Sequence, residues 1–494
     1  MLKRPGEKQT ELELISIEEL VPPDHLLRKI DKAVDFSFIR EKVEGLYCAD
    51  NGRPAIDPEV LFKMLFIGYL FGVRSERQLV REIEVNLAYR WFLGLGIREK
   101  VPDASTLSQN RRRRFSSSTI YQEIFDEIVM QALHRGLVDG NVLYTDATHL
   151  KADANKNKFI KKQIKKSTCR YLAELEHDIA RDRKAHGKKP LKPDTSEPEE
   201  VKETRISTTD PESGYMVREG KPEGFFYLDH RTVDGKHNII TDAHVTPASL
   251  HDSVPYLERL DRQRERFGFN VEAVGLDAGY FTSAICKGLE DREIFGAIAY
   301  RTPNHRKGYF YKKDFVYDRE LDCYRCPGGQ ELKYSTTNRE GYREYKSNPK
   351  QCRECQYLKQ CTRSSNHAKV VTRHVWEDSK ERVNQNRLTE RGKKIYKRRK
   401  ETVERSFADS KQLHGHRYAR MRGLKKALEQ ALLCAAVQNM KKIALILAGQ
   451  TKKGPLNPEN PFWHPFIAAV RWLAALISQS FCFKPNTACT SIPL

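Results

Sequence analysis

Residues 225–245 read FFYLDHRTVDGKHNIITDAHV, two apolar runs on either side of an Asp234-Gly235 step. Asp-Gly between such runs is a strong signal for a type I′ hairpin, so 225–233 and 237–245 read as an antiparallel strand pair. Upstream, Val142-Leu-Tyr-Thr-Asp146 is a short apolar run ending in an acid, hence an earlier strand. Downstream, 249–267 reads as a helix and 271–276 (VEAVGL) as a strand with Asp277 at its end. Residues 282–292 read as a helix and 294–300 (IFGAIAY) as a fifth strand. The order is βββαβαβ.

Three antiparallel strands followed by alternating helices and strands is the ribonuclease-H-like order, a mixed α/β sheet, expected over 136–300. A helical domain precedes it, over 1–135. Ser16-Ile-Glu-Glu19 is a capping box, and Asp57-Pro58-Glu59 opens an apolar helix over 59–71. Ser75 caps a second helix with Leu79, Ile83 and Leu87 on one face, and Asp103 opens a third carrying Arg111, Arg112, Arg113 and Arg114. Short helices with a basic last member suggest a DNA-binding helix-turn-helix-like module; the alternative is a bundle whose Arg run is a solvated face. A charged insertion, 155–205, holds 15 Lys+Arg and 9 Asp+Glu and reads as a helix over 170–185 followed by a flexible linker. A cysteine-rich insertion covers 301–378, and helical sequence over 379–450 closes the core. Residues 451–494 read as a Pro/Asn-rich linker and an amphipathic tail rather than a membrane span, because Arg471 and small polar residues interrupt its apolar run.

The chain has 494 residues, 87 Lys+Arg against 66 Asp+Glu, and a net charge of +21. A globular protein this basic most often meets a polyanion. From Ser379 to Lys426, 17 Lys+Arg face 5 Asp+Glu, more than half of the whole excess. Eleven cysteines do not make a disulfide scaffold, and the N-terminus has no apolar signal region. The expected setting is cytoplasmic and nucleoid-associated, on double-stranded DNA, with no membrane. No Walker-type loop or dinucleotide glycine fingerprint occurs.

Three acids lie at the ends of different elements: Asp146, Asp277 and Glu404, the last in RRKETVERSFADSK. In a ribonuclease-H-like sheet the first and fourth strands are neighbours, so the two aspartates would adjoin, and a helix crossing the sheet edge would deliver Glu404. Clustered carboxylate oxygens suit Mg²⁺, and two such ions ~4 Å apart can serve an in-line phosphodiester displacement. At helical spacing Tyr396, Val403 and Phe407 share an apolar face, while Lys397, Lys400, Glu404 and Lys411 share the neighbouring stripe. Asp153, Asp242, Asp252, Glu401 and Asp409 are the competing acids. Thr148 beside Asp146 suits an exposed strand end, and Gly279 with Tyr280 would let a backbone approach Asp277 closely.

Five cysteines crowd into Cys323-x2-Cys326 and Cys352-x2-Cys355-x5-Cys361. Paired thiolates two apart, with Pro-Gly-Gly after the first pair, are a zinc-ribbon signature with a structural Zn²⁺. Cys352 and Cys355 are the firm ligands; Cys323, Cys326 and Cys361 compete for the other positions.

The stretches PAIDPEVLFKMLFIGYLFGVRSERQLVREI, LYTDATHLKADANK, VGLDAGYF and KETVERSFADSKQLHGHRYARMRGL resemble the DDE transposases of bacterial insertion sequences, over about 20–450. The resemblance implies a ribonuclease-H-like core, Mg²⁺- or Mn²⁺-dependent cleavage and joining of DNA ends, and Asp146, Asp277 and Glu404 as the triad. It favours Cys326 and Cys361 over Cys323. Its signature places a Tyr and an Arg upstream of the Glu and a Lys seven residues after it. Lys411 matches; the upstream positions hold Lys397 and Lys400, with Tyr396 and Arg399 each one residue early. It implies that Lys411, Lys400, Lys397 and Arg399 hold phosphates and that the N-terminal helices with Arg111–Arg114 recognise terminal inverted repeats. Joining two ends implies a homodimer on DNA. The rival expectations are a nuclease or domesticated recombinase, and a non-catalytic DNA-binding regulator.

Overall fold

The computed structural model describes residues 15–48, 55–164, 171–191, 202–217, 223–302 and 306–449. The expected tail over 451–494, and the linker over 192–201, lie outside the described residues. The chain divides at Ala444, and of its second unit only 445–449 are described, three of them ending the helix Leu424–Leu447.

The N-terminal region is helical throughout, from Ile17–Leu20 to Ile120–His134. Asp57 caps the helix Pro58–Leu70 by accepting from the Glu59 N–H, with Pro58 in the first turn. Residues 61–70 of that helix are all buried, so it forms the centre of the bundle, with Phe62 and Phe66 in an aromatic cluster. The helix capped by Ser75 ends at Val85; Asn86 caps a new one, Leu87–Leu93, so Leu87 does not continue the Leu79–Ile83 face. The expected third helix is short, Ala104–Gln109, and the arginines sit in a π turn, Asn110–Arg114, closed by Phe115 N–H donating to Asn110 O.

The central sheet is built on strand β1 (Val142–Lys151), with β2 (Gly224–Asp234), β3 (Ile240–Pro247), β4 (Ala273–Leu276) and β5 (Phe295–Ile298). Its order is β3-β2-β1-β4-β5, with Gly214–Met216 adding to the β3 edge of β2. β2 runs antiparallel to β1 and β3, whereas β1, β4 and β5 are parallel. All eleven residues of β2 are buried, as a central strand covered on both sides requires. The hairpin differs from the expected two-residue turn. The connection runs over 235–239, and Asn238 takes the left-handed conformation (φ 60°). Gly235 instead donates to Val142 O, and a Cβ there would meet that oxygen at 3.0 Å, so the glycine serves the approach to β1.

Helices α1 (Tyr256–Phe267) and α2 (Ser283–Asp291) are the crossovers before β4 and β5. The C-terminal helices are α3 (Glu377–Leu388), α4 (Glu390–Arg398), α5 (Val403–Leu413) and α6 (Leu424–Leu447). Among the described residues α6 is the one helix long and apolar enough to cross a membrane, and most of it is buried in the protein.

The charged insertion is more ordered than a linker reading allows. Phe159–Ile164 and Lys202–Ser207 form a two-stranded ribbon, and the helix Tyr171–Ala185 docks on the cysteine-rich region. Asp182 accepts from Arg343 at 2.7 Å and from Thr337 at 2.6 Å, and Asp178 accepts from the Trp376 indole at 2.6 Å. That region is a five-stranded antiparallel meander, Val316–Asp318 to Val370–His374, over a core of Phe315, Tyr324, Leu332, Tyr345 and Val371.

Between the central sheet and α5 lies a buried polar layer. Arg231 and Asp229 on β2 pair at 2.8 Å, both fully buried, and Arg231 also donates to Ser410 of α5. His416 reaches Asp229 at 2.9 Å. Desolvation pushes the Asp229 carboxyl up, but Arg231 and His416 outweigh it and hold the group down at about 2. The pair therefore stabilises the fold fully above the unfolded carboxyl pKa of ~3.9 and is lost as pH falls through about 2. Asp229→Ala leaves Arg231 buried without its counterion and is expected to cost about 3–5 kcal/mol in urea unfolding; a change within 0.5 kcal/mol, the ordinary surface range (~0.5 kcal/mol), would show that the layer bears no load.

Candidate active site

β1 pairs with β2 so that Asp146 stands opposite Arg231, and directly opposed residues share a face. On the other side Tyr144 aligns with Gly275 of β4. Continuing that register by two residues sets Asp146 beside Asp277, just past the end of β4. A side chain at Gly275 would collide with the Tyr144 ring at 2.7 Å, so the glycine is what allows this pairing. Asp277 caps the turn Ala278–Tyr280 by accepting from the Gly279 N–H at 2.8 Å. Gly279 thus faces the carboxylate, and Tyr280 is fully buried against Tyr256 rather than offered to a substrate.

Glu404 arrives from the first turn of α5, where a carboxylate also suits the helix dipole. Val403, Ser406, Phe407 and Ser410 form the buried face of that helix. The single helix expected from Tyr396 to Lys411 is broken at 399–402. Thr402 leaves helical geometry (φ −105°, ψ −97°), and Glu404 N–H donates to Arg399 O, five residues back, at 3.1 Å. A five-residue step accommodates one extra residue in the turn. The phase of the upstream segment moves accordingly: Ile395 and Arg399 are buried, whereas Tyr396, Lys397 and Lys400 are exposed, so Tyr396 does not share the Val403–Phe407 face.

Arg399 is the centre of the arrangement. Its Nη2 donates to Asp146 Oδ2 at 2.6 Å, and its Nη1 stands 3.9 Å from Glu404 Oε1. The Arg399 side chain is 4% exposed, Asp146 20% and Glu404 46%. Burial pushes the Asp146 carboxyl up to about 6; Arg399 opposes the rise, and the charges on Asp277 and Glu404 add to it. Lys411, on the same stripe of α5 as Glu404, donates to the Thr148 hydroxyl, two residues along β1 from Asp146. Among the described residues no three Asp, Glu, His or Cys side chains form a ready metal-ligand cluster. Carboxylate oxygens are nevertheless the donors a hard cation takes, and Asp146 and Glu404 here face the Arg399 guanidinium between them.

Three of the five competing acids are engaged elsewhere. Asp153 pairs with Arg422 at 3.0 Å, Asp242 with Arg259, and Asp409 with Arg405 at 3.0 Å. In the N-terminal region Arg111 turns inward, to Glu76 and to Glu429 of α6, the latter at 2.5 Å, and so presents no free charge. Arg114 lies on the Tyr47 ring at 3.8 Å. Arg112 and Arg113 are exposed.

Cys326, Cys352, Cys355 and Cys361 line one small cavity in the meander. Gln330 N–H donates to Cys326 Sγ at 3.3 Å, and a Cβ on Gly328 would lie 3.5 Å from Cys355 Sγ and 3.7 Å from Cys326 Sγ. Burial pushes the Cys361 thiol up, with the other three thiols adding. Cys323 is buried in its strand outside this cavity.

Sequence reasoning treated Arg399 as an off-register neighbour and did not single out Arg231. The Glu404-to-Arg399 spacing carries a signal only if an extra residue is allowed in the turn.

Two family models match the chain. Residues 15–113 match the Transposase domain (DUF772), and residues 325–444 match the Transposase DDE domain. The second contains Arg399, Glu404, Lys411 and the four clustered cysteines, while Asp146 and Asp277 lie on the sheet between the two matched segments. No curated protein matches the chain. With a transposase domain toward one end and a transposase DDE domain toward the other, the chain carries the two matched domains of a DDE transposase.

Proposed function

We propose that the transposase cleaves DNA at its terminal inverted repeats and joins the ends to a target at the site of Asp146, Asp277 and Glu404. The observation that carries this reading is the convergence of Asp146 and Glu404 on one buried guanidinium, with Asp277 in register beside Asp146. The strand order β3-β2-β1-β4-β5, with β2 alone reversed, supports a ribonuclease-H-like core, because it puts the end of β4 beside the middle of β1, where Asp146 stands.

A divalent ion, Mg²⁺ or Mn²⁺, held by the three carboxylates would supply Lewis-acid polarisation of the phosphodiester and a more acidic attacking water. Asp146 and Asp277 are the fixed part of that donor set, since each is held by a backbone N–H, of Ala147 and Gly279. Glu404 is the more exposed part and faces the DNA side. Lys411, braced on Thr148, holds a phosphate next to the scissile bond, and the exposed Lys397 and Lys400 extend the basic stripe; Arg399, expected to join them, is buried and turned to the acids instead. Arg112 and Arg113, with the N-terminal helices, contact the repeats. Two ends must meet for joining, so the active form is a homodimer on DNA. Cys326, Cys352, Cys355 and Cys361 bind a structural Zn²⁺ that ties the turn after the second strand of the meander to the connection before its last strand.

The direct test is strand cleavage of a labelled duplex carrying the element's ends. Wild type is expected to nick at the repeat boundary only with Mg²⁺ or Mn²⁺, and Glu404→Gln to lose the activity by about 10²-fold or more. Tight binding with no metal-dependent cleavage would instead favour a regulator.

A second measurement needs no activity. Arg399→Gln removes the buried cation, so in EDTA it is expected to lose about 1–3 kcal/mol of stability. Mg²⁺ should then raise its melting temperature more than that of wild type, because the ion replaces the missing charge. Equal Mg²⁺ shifts for the two proteins would separate Arg399 from the metal site.

For the thiol cluster, purified wild type should carry about one Zn²⁺ per chain. Cys355→Ser should lose it and Cys323→Ser should keep it; loss on Cys323→Ser would overturn the ligand set.

A further inference from the structure

A cavity of about 680 Å³ opens between the N-terminal helices and the loop that follows α5. Its walls are the end of the helix Pro58–Leu70, the start of Glu76–Val85, the short helix Ala104–Gln109, and Arg420 with Met421. Four arginines line it: Arg74, Arg77, Arg111 and Arg420. Arg111 is neutralised by Glu76 and Glu429. The other three have no carboxylate partner among the described residues.

Arg420 is held in place without its charge being satisfied. Its guanidinium lies 4.0 Å from the Tyr69 ring centroid, and its Nε and Nη2 are shielded from solvent with no hydrogen-bond partner among the described residues. The backbone around it is pinned by α6: Arg420 N–H donates to Gln430 Oε1 at 2.8 Å, and Gln430 donates to Tyr418 O at 3.0 Å. Those two nitrogens are covered by protein, so an anion entering the cavity meets the guanidinium at its remaining nitrogen, Nη1, on a charge that no carboxylate among the described residues offsets.

The surroundings say what carries that anion. Beside the cavity the Tyr418 ring is 49% exposed, and Arg74 and Lys151 each lie 5.7 Å from its centroid. An exposed aromatic between cations is a stacking and phosphate surface for nucleic acid. Lys151 ends β1 and bonds the Arg417–Ala419 backbone on both sides. Asp146 is five residues back on the same strand, about 17 Å away, or roughly five base-pair rises of duplex.

We infer that this cavity is a second DNA contact, binding a backbone phosphate through Arg420, Arg74 and Arg77 apart from the scissile bond. The inference rests on the transposase reading but not on its metal chemistry. It is tested by fluorescence anisotropy on an element-end duplex in EDTA, where no cleavage occurs. Arg420→Gln and, independently, the surface variant Arg77→Gln should each weaken binding about three- to tenfold and lower the slope of log affinity against log salt by about one. Arg420→Lys should recover part of the loss. Unchanged affinity and slope in both Gln variants, with melting temperatures as in wild type, would overturn the inference. Should Arg420→Gln fail to fold, Arg77→Gln alone decides it. A second arm adds inorganic phosphate or a free deoxynucleotide monophosphate to wild type. No thermal shift at millimolar ligand is expected for a site that needs the polymer, and a shift abolished by Arg420→Gln would reassign it to a free-nucleotide site. Failure of metal-dependent cleavage would leave the anisotropy result unaffected.

Discussion

Three carboxylates at one sheet edge repel one another, and the protein answers that repulsion with a single buried guanidinium. Arg399 bonds Asp146 and lies close to Glu404 while almost wholly removed from solvent. In such surroundings charge interactions are several times stronger than in water, so a cation is needed if Asp146 and Glu404 are to face each other ionised. The Asp146 carboxyl, pushed up to about 6, shows that the balance is close: desolvation and the neighbouring acids still outweigh Arg399. An edge so poised gains from any further positive charge delivered to it.

Placing Arg399 there depends on the buried layer beneath α5. Helix α5 carries Ser406 and Ser410 toward the sheet instead of larger apolar residues, and both hydroxyls face Arg231. Gln438 of α6 bonds both serines, and Asn439 bonds Ile240 at the start of β3 through its backbone N–H and C=O. A polar interface of this kind accepts one register of helix on sheet, because a slip leaves several buried donors unpaired. The helix carrying Glu404 and Lys411 is therefore fixed along its axis as well as against the sheet. Glu404 can be partly exposed without being loosely placed.

Much of this was legible in the chain. The five strands, their order along the chain, and Asp277 at a strand end follow from apolar runs and turn residues, because those signals are local; Asp146 does not end its strand as expected, because β1 continues to Lys151, paired with β2 throughout. Gly275 and Gly235 are visible in the sequence but their purposes are not, since each answers to a neighbour far along the chain, Tyr144 and Val142. The Tyr396–Arg399 offset looked like a departure from pattern because spacing assumes an unbroken 3.6-residue period; a five-residue step between Arg399 and Glu404 absorbs it. The insertion helix was legible as a helix but not as a docked one: its anchors, Asp178 and Asp182, meet Trp376, Thr337 and Arg343 only through tertiary packing. Likewise, cysteine spacing alone could not separate Cys323 from Cys326, whereas their places on opposite sides of a strand end do.

The N-terminal helices are joined to the catalytic helix by close backbone contact rather than by a tether. Gly72 lies so near Leu413, the last residue of α5, that a Cβ would sit 2.7 Å from its carbonyl oxygen, and its φ of +70° itself favours glycine. His414 bonds Tyr69 O at 3.0 Å, and Arg111 reaches across to Glu429 of α6. The N-terminal helices thus share their backbone packing with the helix that holds Glu404 and Lys411. The turn at 71–75 is packed directly on the end of α5. On the function proposed above, DNA recognition by the N-terminal helices and strand cleavage at the acids are therefore coupled by this packing, with the basic loop at 415–423 between them.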